Sequence, residues 1–119
     1  KARKEAEATE CAAELAGNDG FWKYIDRLFE ITPSNNGLDL AELPKIAKSV
    51  GLDQVKFEEC LASGRHSQKV EEDVQDALAT GGQGTPWSVI ITAKGETIPF
   101  SGAQPYEALK QVIELALTK

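Results

Sequence analysis

Hydrophobic positions recur along most of this chain at spacings of three and four, and give way to an unbroken branched aliphatic run only between Trp87 and Phe100. A spacing of three and four marks one face of a helix. Ala8, Cys11, Ala12 and Leu15 predict such a face in the Ala- and Glu-rich opening stretch. Gly17-Asn18-Asp19-Gly20 interrupts it, with Gly17 placed to cap one helix and Asn18 or Asp19 the next. The second helix, Phe21 to Ile31, gathers Phe21, Trp22, Ile25, Leu28 and Phe29 into a wide stripe, which predicts core packing rather than an aromatic ligand platform. Thr32 to Gly37 has loop composition. Asp39 to Glu42 resembles a capping box, but Pro44 is best at a first helical position, so a short turn is expected before a helix ending at Gly51. Asp53 caps a further helix through Phe57, Cys60 and Leu61, closed by Ser63-Gly64. The next, from about His66 to Ala79, turns Val70, Val74, Ala77 and Leu78 to one side and the acidic run Glu71-Glu72-Asp73 mostly to the solvated other.

The exception to helical spacing follows. Val89-Ile90-Ile91 is an unbroken branched aliphatic run, expected where both faces of a strand are covered. Lys94-Gly95 supplies a tight turn, and Pro99 marks the returning strand as an edge because proline donates nothing to a ladder. A lone hairpin is marginal in water, so the first strand calls for a neighbour. Pro105 then opens a last helix with Leu109, Val112, Ile113 and Ala116 inward. About five helices, a β-hairpin and a C-terminal helix make an α/β chain with a helical insertion. The expected division is residues 1–80, the first helix and the insertion, and 81–119, the proline loop, two strands and final helix.

Composition changes this picture little. A length of 119 residues suits one domain, and a net charge of -6 argues against nucleic acid and against a polybasic membrane contact. No apolar run is long enough to span a bilayer. The chain contains no Met, and Lys1, Arg3 and Lys4 oppose the macrodipole in a first helical turn. The first helix is therefore expected to begin upstream of residue 1, in a longer chain.

Candidate chemistry is sparse. Gly84-Thr85-Pro86 precedes the aliphatic strand, and no lysine-bearing glycine loop suggests nucleotide binding. Cys11 and Cys60 sit on separate helices and do not form a Cys-x-x-Cys pair. Two buried, inert thiols and one structural disulfide are both compatible with those positions. With a single histidine, His66, read as a surface group near a cap, neither a metal site nor a Ser/His/Asp arrangement is expected, and no cofactor is implied.

Several pieces, in order, resemble the DsbA-like thioredoxin family of disulfide oxidoreductases: Glu10-Cys11-Ala12, Phe21-Trp22 with Tyr24, Asp26 and Leu28-Phe29, Gly51-Leu52-Asp53, Phe57, Cys60-Leu61, Ser63-Gly64, Gly84-Thr85-Pro86, and Ser101 to Tyr106. The resemblance implies a partial thioredoxin-like fold interrupted by the helical insertion. It assigns Pro86 as the cis-proline facing a redox site, with Gly84 and Thr85 offering backbone to an extended substrate. It suggests that Cys11 and Cys60 recur as a pair, and an exported family permits their oxidation. Gly82-Gln83 stands where the family usually carries a branched aliphatic, which implies a looser loop. Family members exchange disulfides through Cys-x-x-Cys at a helix start, and this motif is expected upstream of Lys1. The implied protein is then the C-terminal portion of a thiol:disulfide oxidoreductase, with no catalytic residue in these positions. Its partners would be reduced or unfolded polypeptides and a redox partner, its setting periplasmic or otherwise extracytoplasmic. Pairing with a second chain through the bare strand edge is a further expectation. A non-redox peptide-binding or chaperone module, and a regulatory domain fused to a membrane protein, are the alternatives.

Overall fold

The computed structural model describes residues 1–119, which form two compact units, Lys1–Glu72 and Asp73–Lys119. The chain is mixed α/β: helical segments, then an antiparallel hairpin, then a C-terminal helix.

The first unit is helical. α1 (Ala2–Ile31) is one helix by continuity but two by geometry, broken where Ala16 and Gly17 leave helical dihedrals. Gly17 takes φ of 64°, a left-handed conformation that glycine adopts without a Cβ penalty, so the predicted interruption is a kink rather than a loop. The second arm therefore starts before Phe21. Asp39 accepts a hydrogen bond from the Ala41 N–H (3.0 Å) to open a 3-10 turn at Leu40–Glu42, and α2 (Leu43–Ser49) follows with Pro44 in its first turn. Asp53 accepts from the Lys56 N–H (3.0 Å) at the start of α3 (Gln54–Ser63). These caps satisfy donors that a helix start leaves without partners.

α1, α2 and α3 pack on one another around Ala8, Cys11, Ala12, Tyr24, Leu28, Leu43, Ile46, Ala47, Phe57 and Cys60. Of the stripe predicted for the second arm only Leu28 enters this core, and its aromatic members do not. Trp22 is 54% and Phe29 72% exposed, whereas Tyr24 is fully buried. Helices α2 and α3 approach the side on which Tyr24 and Leu28 project, leaving the Trp22 and Phe29 positions without a covering element in this unit. Tyr24 stacks on Phe57 (centroids 5.3 Å apart) and donates its hydroxyl to the Leu43 carbonyl (3.1 Å), so its one polar atom is paired.

α4 (Ser67–Ala79) runs from the first unit into the second. Of its predicted inward residues only Val70 is buried, and Leu78 is half exposed. In the second unit β1 (Trp87–Ile91) pairs with β2 (Thr97–Ser101) in antiparallel register, Val89 opposite Pro99 and Ile90 opposite Ile98. The turn is closed by the Gly95 N–H donating to the Thr92 carbonyl (2.9 Å) and the Thr92 N–H to Glu96 (2.9 Å). The expectation that both faces of β1 are covered is not met. The sheet has two strands, Val89 and Ile90 are half-buried, and Ile91 is 71% exposed. α5 (Tyr106–Leu117) packs against β1, with Ile113 and Ala116 beside Ile90 and Ile91. Of the inward set predicted for α5 only Ala116 is buried, because a two-stranded sheet is too narrow to cover Ile113.

Burial, aided by the nearby Glu5 charge, raises the Tyr24 phenol above its ordinary value. The folded state then holds the phenolic proton more tightly than the unfolded chain, so the stabilisation is intact below about pH 10 and declines as pH rises beyond it. Urea midpoints measured from pH 7 to 11 should fall above pH 10 in the parent and fall less steeply in Tyr24→Phe. That variant should cost about 0.5–1.5 kcal/mol at neutral pH for the lost hydrogen bond.

Candidate functional site

Two places carry the chemistry of the chain, one in each unit. In the first, Cys11 on α1 and Cys60 on α3 form a disulfide with Cα atoms 5.9 Å apart, which decides between the two states that the sequence left open. Both residues are 1% exposed. The helical periodicity that put each on an apolar face is what brings them together, since α1 and α3 bury those faces against each other. No thiol remains free. The bond joins α1 to α3, and its burial shields both sulfurs from an attacking thiolate while the helices stay packed.

Over the bridge sits a polar group that sequence reasoning missed. Glu14, one turn beyond Cys11, accepts from the Arg65 Nε–H (2.9 Å) and pairs with His66 Nε2 (2.8 Å), and the same carboxylate lies 3.8 Å from Cys60 Sγ. Hydrogen bonds from Arg65 first and His66 second hold the Glu14 carboxyl down at about 2. His66 is thus no isolated surface group. Its imidazole is part-buried and gathers with both sulfurs, the three ligand atoms lying within 4.8 Å of one another. The position of Glu14 at i+3 from Cys11 was the available signal, while the loop that returns His66 to α1 left no trace in local pattern.

The second place is the segment between α4 and β1. The Thr85–Pro86 peptide bond is cis. Gly84, Thr85 and Pro86 are exposed, and the Gly102 N–H donates to the Pro86 carbonyl (2.9 Å), tying the end of β2 to this corner. The backbone groups of Gly84 and Thr85 take part in no hydrogen bond of the chain. They border a groove of about 410 Å³ whose other walls are Val74, Ala77, Leu78, Gly82, Gln83 and Trp87. Trp87 fixes this wall: its indole N–H donates to Thr80 Oγ1 (2.9 Å) while its ring lies over Gly82. A Cβ at residue 82 would stand 2.9 Å from the Ala77 carbonyl oxygen and 3.0 Å from the indole, so only glycine admits this approach. The glycine at 82 therefore has a local cause, the close seating of Trp87, while nothing in the structure explains Gln83.

The bridge encloses a loop with sequence separation 49, and restricting the unfolded chain over that length is worth about 4 kcal/mol. Thiol titration in denaturant without reductant should find no reactive thiol per chain. The Cys11→Ser/Cys60→Ser variant should lose about 4 kcal/mol of unfolding free energy in urea titration. Two titratable thiols in the untreated protein would overturn the bridge.

The family model of the DSBA-like thioredoxin domain matches residues 5–114. Comparisons with curated proteins and with solved structures returned no match. The matched span takes in both cysteines, the proline corner, the hairpin and most of α5. The chain belongs to the DSBA-like thioredoxin domain family.

Proposed function

We propose that this chain is the substrate-facing, C-terminal part of a thiol:disulfide oxidoreductase acting on protein cysteines. The observation that carries the reading is the exposed Gly84-Thr85 backbone, without internal hydrogen bonds, beside an apolar groove. Such an edge recruits an extended polypeptide as an added strand, main-chain bonds giving affinity and the groove a pocket for one apolar side chain. Both cysteines of the chain are consumed in one buried bridge. The attacking thiolate is therefore assigned to a Cys-x-x-Cys pair outside these 119 residues, poised by a helix N-terminus. That thiolate would attack, or be attacked through, a mixed disulfide with the substrate held at Thr85. Reduced or unfolded polypeptides are the substrates in this reading, a second redox protein resets the pair, and the setting is periplasmic or otherwise extracytoplasmic, where disulfides persist.

An insulin-reduction assay separates the parts. The chain alone should give no turnover above buffer, and a longer protein carrying the upstream Cys-x-x-Cys should turn over. In the chain alone, a reduced unfolded polypeptide should shift the amide resonances of Gly82 to Thr85 and quench Trp87. Turnover by the chain alone, or a full reading frame without Cys-x-x-Cys, would overturn the redox assignment. Polypeptide binding in the latter case would instead support a non-redox peptide-binding module.

The bare edge of β1 leads to one more expectation. Unpaired strand edges recruit partners, and in the chain alone a second copy is the partner at hand. Sedimentation at rising concentration should show a dimer. A monomer throughout would remove this contact.

A further inference from the structure

The cluster over the bridge has a donor set that a structural disulfide does not require. Cys11 Sγ, Cys60 Sγ and a ring nitrogen of His66 lie within 4.8 Å of one another, and a Glu14 oxygen lies 2.8 Å from His66 Nε2 and 3.8 Å from Cys60 Sγ. Two sulfurs, one imidazole and one carboxylate are a donor set for tetrahedral Zn²⁺. Tetrahedral ligands at Zn–S of about 2.3 Å and Zn–N of about 2.0 Å stand roughly 3.5–3.8 Å apart. The spread of the two sulfurs and the imidazole thus closes onto a common centre with movements of about 1 Å once the S–S bond is open, and Glu14 reaches that centre from beside His66. The sulfurs are 1% exposed, while the His66 and Glu14 side chains are 23% and 37% exposed, so the inner wall is fixed and the outer wall opens to solvent. Arg65, bonded to Glu14, supplies a positive charge to a site that would carry two thiolates.

We propose that Cys11, Cys60, His66 and Glu14 form a redox-gated Zn²⁺ site, closed as the disulfide and available once the bridge is reduced. When local opening exposes the bridge, a dithiol gives two electrons and its two protons and leaves as its own disulfide, or a phosphine gives two electrons while one water supplies both protons and the oxygen of the phosphine oxide; either way the S–S bond becomes two thiols. Zn²⁺ then displaces both thiol protons to solvent, and two Zn–S bonds take the place of the S–S bond. His66 coordinates as neutral imidazole through the nitrogen that now faces Glu14, and Glu14 completes the tetrahedron. The metal holds α1 to α3 as the bridge does, so the helical unit has two alternative clasps at one crossing. This assignment stands apart from the substrate groove and from the redox reading.

Cobalt substitution reads the site directly. The whole chain is reduced anaerobically with a phosphine, two thiols per chain are verified, and Co²⁺ is titrated in. Thiolate-to-Co²⁺ charge-transfer and tetrahedral d–d absorption should grow to one equivalent and be bleached by Zn²⁺. The oxidised chain should show neither. His66→Ala should weaken Co²⁺ affinity at least about tenfold, since removing even a hydrogen-bond partner of a ligand typically costs about 10–100-fold. If reduction alone unfolds the chain, circular dichroism should show Zn²⁺ restoring helicity in the parent and not in His66→Ala. Three results would each overturn the site: no tetrahedral bands in the verified dithiol, unchanged affinity in His66→Ala, or helicity that Zn²⁺ fails to restore.

Discussion

The crossing of α1 and α3 is the constraint on which the helical unit depends. Small residues on α1, Ala8 and Ala12, let the helices approach closely, and Cys11 and Cys60 fasten them at that point. Around it Phe57 and Tyr24 stack, and α2 closes the side with Leu43, Ile46 and Ala47. A second link runs nearby, where the Lys4 ammonium donates to both Glu7 (3.1 Å) and the Leu61 carbonyl (2.9 Å). The bridge acts chiefly by shrinking the unfolded ensemble, whereas the aromatic contacts act by removing apolar surface from water. The two contributions differ in origin and meet at the same helices, which is why a kinked α1 without a side-chain cap at its start can still be ordered over thirty residues.

The second unit depends on the opposite condition. Its sheet is two strands, an arrangement short of independent stability unless something packs on it, and α5 does so along β1. Hydrogen bonds within the corner do the remaining positioning. Pro86 is tied to Gly102, Trp87 to Thr80, and Gly82 to the Ala77 carbonyl at the end of α4. These bonds leave Gly84 and Thr85 as exposed backbone between fixed points. An exposed segment held at both ends loses little further freedom when a partner strand pairs with it, which favours binding there over a free loop.

What was legible in the sequence was local. The Asp39 turn, the Asp53 cap, the break at Gly17 and the Lys94-Gly95 turn all depend on residues within a few positions of one another, and each was found where pattern placed it. What failed was non-local. Hydrophobicity ranked Trp22 and Phe29 above Tyr24, but the approach direction of α2 and α3 decides which side of the second arm is buried, and a tyrosine whose hydroxyl has a partner loses little by burial. The run Val89 to Ile91 predicted two covered faces, yet coverage depends on the elements that pack over each face, and α5 alone packs on β1. His66 and Glu14 were missed for the same reason, being far apart in sequence and joined only by the return of the chain after α3.

Accessibility divides the chemistry of this chain in an instructive way. Thiol chemistry needs a sulfur that a second sulfur can approach in line, and here both sulfurs are enclosed by the helices they join. Polypeptide recognition needs free backbone and an apolar recess, and the Gly84-Thr85 corner has both but no sulfur of its own. In the proposed function neither place performs exchange alone, since one has the sulfurs without access and the other has access without a sulfur. In that reading, the requirement left to the rest of the protein is a solvent-facing thiolate beside Thr85. At that corner the Pro86 carbonyl is held by the Gly102 N–H while Gly84 and Thr85 stay exposed, so the backbone that a substrate of such a thiolate would pair with is already positioned.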